Sequence, residues 1–271
     1  MKQAIGLVLL VVFCSNAALA DDNDKTQADG VSQSGRIVNG VEVAIKPYQF
    51  AVNLYIAKTF TCDGVIISDT HVLTAALCVY AERKRPARVL LYGGSSSPGP
   101  KNEISKVVKP IKVTKITIHP DYKDEKDFDF DLAILTVRKG DIKRTVNTTP
   151  IPLQESELKV GTGCYVVGWG RSSKDGEDPS TNLRYGELDV MSEPSCTRAW
   201  RAIFTSNMIC AKSNNKVDTC YGDGGSPFVC DGRLSGIVAF INGECNGALP
   251  VVFSKIVAPR NRDFIRTVTK I

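Results

Sequence analysis

The stretch that most constrains the fold is residues 218–230, which read DTCYGDGGSPFVC. Glycine adopts backbone conformations that other residues avoid, so the run Gly222-Asp223-Gly224-Gly225 predicts a tight turn. The apolar residues that follow predict a return to the protein interior. A residue at the centre of such a turn faces a cleft, and nearby backbone N–H groups point the same way. This is the shape of a loop that presents a nucleophile.

Cysteine content indicates a disulfide framework. Cys14 falls within a predicted secretory signal over residues 1–20, which has Lys2, an apolar run over 5–13 and small residues at its end. The run is shorter than the roughly 20 residues that a membrane span needs, which argues against an anchor. The other eight of the 9 cysteines form an even set, which predicts disulfides in a secreted chain. A metal site is the less favoured alternative, because no Cys-x-x-Cys or paired-His spacing occurs.

Residues 21–36 are polar, acidic and rich in Gly and Ser, which predicts a solvated propeptide that ends at Arg36. From Ile37 onward the chain has 31 basic and 25 acidic residues, a net charge of +6. This charge is too small to predict nucleic acid binding. No later stretch is long and apolar enough to predict a membrane span.

The chain after Gln49 alternates short apolar segments with Gly, Pro and Asn turns, which predicts an all-β sandwich or barrel. The predicted strands include residues 50–56, 64–67, 89–92, 113–118, 132–137, 164–167 and 234–240. Near the end, apolar residues at helical spacing after Pro259 predict a C-terminal helix over 259–271, with Phe264, Ile265, Val268 and Ile271 on one face.

Several segments together resemble the trypsin-like serine proteases. The loop Gly222-Asp223-Gly224-Gly225-Ser226-Pro227 resembles the GDSGGP loop of that family. The segment CDGVIISDTHVLTAALC (62–78) resembles the one that carries the catalytic His, and DLAIL (131–135) resembles the start of the strand that carries the catalytic Asp. GCYVVGWG (163–170) and GIVAFINGEC (236–245) resemble strands of the second barrel. The resemblance implies two packed six-stranded Greek-key β-barrels, about 37–148 and 149–271, with a C-terminal helix.

The resemblance also implies disulfides and an activation site. Eight cysteines allow 105 pairings, and the family arrangement implies Cys62–Cys78, Cys164–Cys230, Cys196–Cys210 and Cys220–Cys245. In the family, cleavage before an Ile frees an amino group that pairs with the Asp preceding the nucleophile. Here these residues are Arg36, Ile37 and Asp223. A buried carboxylate needs such a partner.

The catalytic positions depart from the family pattern. Leu77 stands where the family has the catalytic His, and Gly224 where it has the nucleophilic Ser, so Asp131 alone matches the triad. The backbone N–H groups of Gly222 and Gly224 still match an oxyanion hole. Ala239 also replaces a serine that holds the Asp131 carboxylate in the family. Burial without polar partners predicts a raised pKa for Asp131.

No other residue is predicted to restore the chemistry. His71 and His119, the only two histidines, are predicted to be polar surface residues. Ser226, at a position where the family has Gly, is predicted to fill a turn. No cofactor or metal is expected.

The specificity pocket departs as well. Asp218 matches the acidic floor that gives trypsin its preference for Lys and Arg, but Ile241 and Val251 replace the two wall glycines. Branched side chains there are predicted to block a long basic side chain. Asp218 then either has a local hydrogen-bonding role or is exposed at the surface.

Two basic clusters and a glycosylation sequon complete the candidate sites. The clusters are Arg83-Lys84-Arg85 with Arg88, and the lysines from Lys101 to Lys115. Each is either a solvated loop or a site for a sulphated glycan or an acidic partner. Asn147-Thr148-Thr149 is a sequon whose use Pro150 is expected to lower.

Three functions fit these residues. The favoured one is a secreted, catalytically inactive serine protease homologue that binds another protease, an inhibitor or another extracellular factor, as a cofactor or decoy. The alternatives are a weak trypsin-like endopeptidase and an inert component of a secretion. The absence of His and Ser at the triad positions favours the first over the second.

Overall fold

The computed structural model describes residues 37–99, 109–124, 128–171, 173, 175–176 and 179–271. The predicted signal peptide and propeptide, with Cys14 and Arg36, lie outside these residues. The strands of the described part are β1 (Val41–Glu42), β2 (Ala51–Ile56), β3 (Thr59–Ile66), β4 (His71–Thr74), β5 (Val89–Gly93), β6 (Ile111–Ile118), β7 (Ala133–Val137), β8 (Gly163–Gly168), β9 (Arg184–Val190), β10 (Met208–Lys212), β11 (Pro227–Cys230), β12 (Arg233–Phe240) and β13 (Val251–Lys255). Its α-helices are α1 (Ala76–Val79), α2 (Glu193–Trp200) and α3 (Pro259–Thr269).

The first barrel consists of β2 to β7, in the order β2-β3-β4-β7-β6-β5 around its closed wall. The pattern of β6 illustrates how the sequence produces this wall. Ile111 and Val113 are buried, whereas Lys112 between them is exposed. Because successive side chains on a strand point to opposite faces, this alternation places one face in the barrel interior and the other outside.

The second barrel repeats this strand order. Strands β8 to β13 follow the order β8-β9-β10-β13-β12-β11, and β11 pairs back with β8 to close the wall. Two barrels of six antiparallel strands confirm the predicted all-β class. One detail differs from the predicted boundary near residue 148, because β1 pairs with β9 of the second barrel although it precedes the first barrel in the chain.

The two barrels share a continuous core. Leu132 and Ile134 of the first barrel and Trp169 and Leu234 of the second belong to one buried cluster. Phe264 of α3 belongs to the same cluster, so the C-terminal helix also packs on this core. Burial of apolar surface of this kind is the main favourable contribution to folding. The candidate site lies where the barrels meet, since Asp63 and Cys78 of the first contact Gly224 of the second.

Helix α3 confirms the predicted C-terminal helix, with a small correction. It begins at Pro259, which suits the first turn of a helix, and ends before Lys270, which has a left-handed φ of 66°. Phe264 and Ile265 are buried as predicted. Ile271 lies beyond the helix end and is exposed, because the left-handed residue turns the chain away.

Four disulfides link the chain, and they are the four implied by the resemblance. They join Cys62–Cys78, Cys164–Cys230, Cys196–Cys210 and Cys220–Cys245. Among the residues that the structure describes, no helix is long and apolar enough to cross a membrane.

Candidate functional site

The fold brings the three triad positions together. Leu77 lies in α1 with its side chain 57% exposed, and its backbone N–H donates to Oδ1 of Asp131 at 2.7 Å. The next residue, Cys78, lies beside Gly224, because a Cβ placed on Gly224 would be 3.2 Å from the Cys78 Sγ. The scaffold of the site is therefore assembled around side chains that cannot transfer a proton or attack a carbonyl.

Asp131 is buried with few polar partners. Its side chain accepts from the backbone N–H groups of Leu77 and Ala76, while Oδ2 has no hydrogen-bond partner within the described residues. Burial raises the pKa of Asp131 to about 7, against a smaller lowering by these two amides. The predicted direction of this pKa shift is confirmed.

The loop around Gly224 has the predicted tight geometry. Gly222 and Gly225 have positive φ values of 96° and 82°, whereas Gly224 does not. The Gly224 carbonyl accepts from the backbone N–H of Asp63 at 2.9 Å, which ties the loop to β3. Within the part of the chain described, the amides of Gly222 and Gly224 have no hydrogen-bond partner. These two donors remain free to bind a carbonyl or an anion.

Ser226 points away from the cleft and binds a residue that sequence reasoning missed. Its hydroxyl donates to Oδ2 of Asp63 at 2.7 Å, and the backbone N–H of Trp169 donates to the same oxygen at 2.9 Å. Asp63 and Ser226 are both fully buried. A carboxylate inside the apolar segment CDGVII (62–67) is the sequence signal that identifies such a residue.

Asp223 is the second buried carboxylate at this place. Oδ1 accepts from the Gly170 N–H and Oδ2 from the Cys220 N–H, each at 2.9 Å. Burial raises the pKa of Asp223 to about 7. The pKa of Asp63 lies well above its ordinary value, first because of burial and then because of the Asp223 charge. Ile37, the predicted new N-terminus, is also fully buried.

The residues of the predicted specificity pocket make local contacts. Asp218 is buried, and its carboxylate accepts from the N–H groups of Thr219 at 2.9 Å and Gly247 at 2.8 Å. The local hydrogen-bonding role is therefore correct, and the alternative of an exposed Asp218 is wrong. Burial raises the pKa of Asp218 to about 6. Ile241 packs against the cluster that contains Val251.

The prediction for His119 is wrong. This residue is 2% exposed, and its ring stacks on Phe130 with centroids 4.8 Å apart. Nδ1 lies 3.2 Å from the Asp121 N–H and Nε2 lies 3.3 Å from the Arg260 carbonyl, so both ring nitrogens are occupied. Pro120 is exposed as a surface turn predicts, but Asp121 pairs with Arg260 of α3, and this helix covers the His119 ring. His71 is half-buried at the start of β4, within 2.9 Å of the Ser68 hydroxyl.

The remaining candidate residues lie away from the cleft. Asn147 of the sequon is half-buried in the turn after the first barrel. Arg83, Lys84, Arg85 and Arg88 are all exposed. In the second basic cluster, Lys101 and Lys106 lie outside the described residues, and Lys109, Lys112 and Lys115 are exposed.

Comparisons with known proteins agree with this geometry. The family model described as "Trypsin" matches residues 37–263. Kallikrein-8 of Mus musculus is 30% identical over 230 residues, covering 83% of this chain and 84% of that protein. Trypsin 5G1 of Aedes aegypti is 30% identical over 248 residues, covering 89% and 88%. The structure titled "Neuropsin, a serine protease expressed in the limbic system of mouse brain" matches with a TM-score of 0.75 at 29% identity, over 85% of this chain and 99% of that one.

Proposed function

The chain belongs to the trypsin-like serine protease family, and from this premise we propose that it is a catalytically inactive, secreted homologue that acts by binding proteins. The observation that carries the proposal is the pair Leu77 and Gly224 at the His and Ser positions. In a protease of this mechanism, loss of either group alone costs about 10⁶ in turnover. Binding to the scaffold is what remains once both groups are gone.

The cleft has the composition of a binding surface. Eight large hydrophobic side chains are exposed among the described residues. One of them is Leu77 itself, and Phe128 and Tyr221 lie three residues along the chain from Asp131 and Gly224, respectively. Exposed aromatic and aliphatic side chains supply an apolar anchor, and the amides of Gly222 and Gly224 supply polar contacts. The proposed occupant is an extended segment of another protease, an inhibitor or another extracellular factor.

Secretion is supported by the disulfides. Four disulfides within the described residues suit an oxidising compartment rather than the cytosol. The predicted signal peptide over residues 1–20 supports the same location.

Two measurements test the proposal. The first is labelling with a serine-directed fluorophosphonate after cleavage at Arg36, where no stoichiometric adduct is expected. An adduct at any serine, or hydrolysis of ester substrates, would identify a working hydrolase and overturn the proposal.

The second measurement is selection of peptides from a displayed library on the wild-type protein. Selected peptides are expected to lose at least about tenfold in affinity for Leu77→Glu. Val160→Glu is the matched control, because Val160 is an exposed hydrophobic residue away from the cleft. Failure to select any peptide, or peptides indifferent to Leu77→Glu, would favour an inert protein.

A further inference from the structure

Two basic clusters that are separate in the sequence lie close together in the first barrel, one just before β5 and the other at β6, its neighbour. The backbone N–H of Ala57 donates to the Arg88 carbonyl, which brings Lys58 beside Arg88. On the next strand, Leu90 of β5 pairs with Lys112 of β6. Adjacent strands are about 5 Å apart, so Lys58 just after β2, Arg88 just before β5 and Lys112 of β6 each lie near the next. Charges this close reinforce one another at physiological salt.

We call this surface the basic face, and it carries almost one sign of charge. Residues 56–60, 80–90 and 109–118 include eight basic residues and one acidic residue, Glu82. The basic residues are all exposed. Within the described residues, Lys58, Lys84 and Lys112 form no ion pair. The eight residues are Lys58, Arg83, Lys84, Arg85, Arg88, Lys109, Lys112 and Lys115.

The one acidic residue, Glu82, is buried beneath the basic face and holds two of its arginines in place. Glu82 is buried and forms ion pairs with Arg85 at 3.1 Å and with Arg88 at 3.4 Å. Arg83 lies over the Tyr80 ring, 4.0 Å from its centroid. These contacts hold three guanidinium groups in place at the surface, which lowers the entropy cost of binding an anion.

We propose that the basic face is a binding site for a sulphated polysaccharide. Arginine presents a planar fork of donors that matches sulphate and carboxylate oxygens, and several fixed arginines suit a polymer with repeated anions. The site is an open row of cations across strand ends, which suits a linear polyanion. None of its eight cations is a triad-position residue, so we expect it to tether the protein without using the side chains of the candidate site.

A protein partner fits this face less well. Stable protein interfaces have an apolar core, usually with aromatic side chains. Among the described residues, none of the exposed large hydrophobic side chains belongs to the three segments that form the basic face. Recognition here depends on charge, and its affinity is therefore expected to fall steeply as salt increases.

The test measures binding of a heparin-derived oligosaccharide to the full chain between about 50 and about 300 mM sodium chloride. The variant Lys58→Gln/Lys84→Gln/Lys112→Gln removes three cations that form no ion pair with any described residue, so Glu82 keeps its partners. The control Lys159→Gln/Arg198→Gln/Lys216→Gln makes the same charge change at exposed residues of the second barrel. The first variant is expected to lose at least about tenfold in affinity and to have a shallower salt dependence, whereas the control stays within about twofold.

Several outcomes would overturn the assignment. Equal loss in both variants would mean that net charge, and not this face, governs binding. Unchanged affinity in the first variant, or no binding at physiological salt, would remove the site. Tighter binding of a poly-glutamate peptide of matched charge would point to an acidic protein partner instead.

Discussion

The backbone N–H of Leu77 donates to Oδ1 of Asp131 at 2.7 Å. The buried carboxyl is thus held by the backbone of a residue whose side chain cannot share its charge. Ala239, which the family resemblance aligns with a serine that holds this carboxylate, is apolar as well. Desolvation dominates, and it raises the pKa of Asp131 to about 7.

Asp131→Asn is expected to be neutral or stabilising at neutral pH. The native state holds a proton on Asp131 between the ordinary pKa and about 7, where the unfolded chain has lost it. The protonated Asp131 therefore adds to the free energy of unfolding at acidic pH. This contribution, up to about 4 kcal/mol, is lost as the pH rises to about 7. Urea unfolding of wild type and variant at acidic and neutral pH measures the difference.

The exposed Asp141→Asn provides the control for this comparison, because it makes the same chemical change at a solvated carboxylate. It is expected to leave the pH dependence unchanged. A clear loss of stability in Asp131→Asn at neutral pH would mean that Asp131 is an ionised, well-bonded structural residue.

Restoring the two missing groups is expected to give a nucleophile without trypsin-like specificity. Gly224 does not have a positive φ, so a side chain can be added there without backbone strain. The new Cβ would lie 3.2 Å from the Cys78 Sγ, so the sulfur must move away by a few tenths of an ångström. Leu77→His/Gly224→Ser should therefore label with a fluorophosphonate. It should cleave after Arg or Lys poorly, because Ile241 and Val251 remain.

Adding Ile241→Gly to that double variant tests the pocket itself. Opening one wall is expected to raise cleavage after Arg by about a hundredfold. Brisk cleavage after Arg by the double variant alone would show that the pocket is open despite its branched side chains.

The sequence predicted those parts of the molecule that depend on local pattern or on strong pairing rules. The strands with clear alternation, such as β6, were predictable, whereas short strands such as β1 and β4 carry too few residues for a periodic signal. The pairing of the eight cysteines came from the family resemblance and not from their spacing. The burial of His119 depends on α3, which lies far away in the chain. The contact between Asp63 and Ser226 spans 163 residues, so no local pattern encodes it.

Asp63→Asn is expected to stabilise the protein at neutral pH. A Cβ placed on Gly168 would lie 2.6 Å from both Oδ2 of Asp63 and Oδ1 of Asp223, so the two carboxyl groups are close neighbours. Like charges in a buried pair cannot both ionise at low cost. The Asn side chain keeps an oxygen for the Ser226 hydroxyl and the Trp169 N–H while removing the charge.

Ser226→Ala is the complementary change, and it is expected to cost about 1–3 kcal/mol because Asp63 loses its hydroxyl donor. Urea unfolding of both single variants and the double variant gives the coupling between them. Destabilisation by Asp63→Asn at neutral pH would show that the Asp63 carboxylate is charged and required.

Cleavage after Arg36 is expected to order the loop around Gly222. Asp223 is fully buried, and no cation pairs with it among the described residues. The new ammonium of Ile37 would supply that cation and lower the pKa of Asp223 from about 7. Above the lowered pKa, the ionised pair is then expected to stabilise the protein at neutral pH by about 2–4 kcal/mol, and this gain should be lost on acidification through that pKa.

Hydrogen exchange across residues 218–225, before and after cleavage, measures the ordering as slower exchange. Asp223→Asn removes the charge while keeping the side-chain size, so cleavage of that variant should leave exchange unchanged. The same slowing in both proteins would mean that the ordering does not depend on this ion pair.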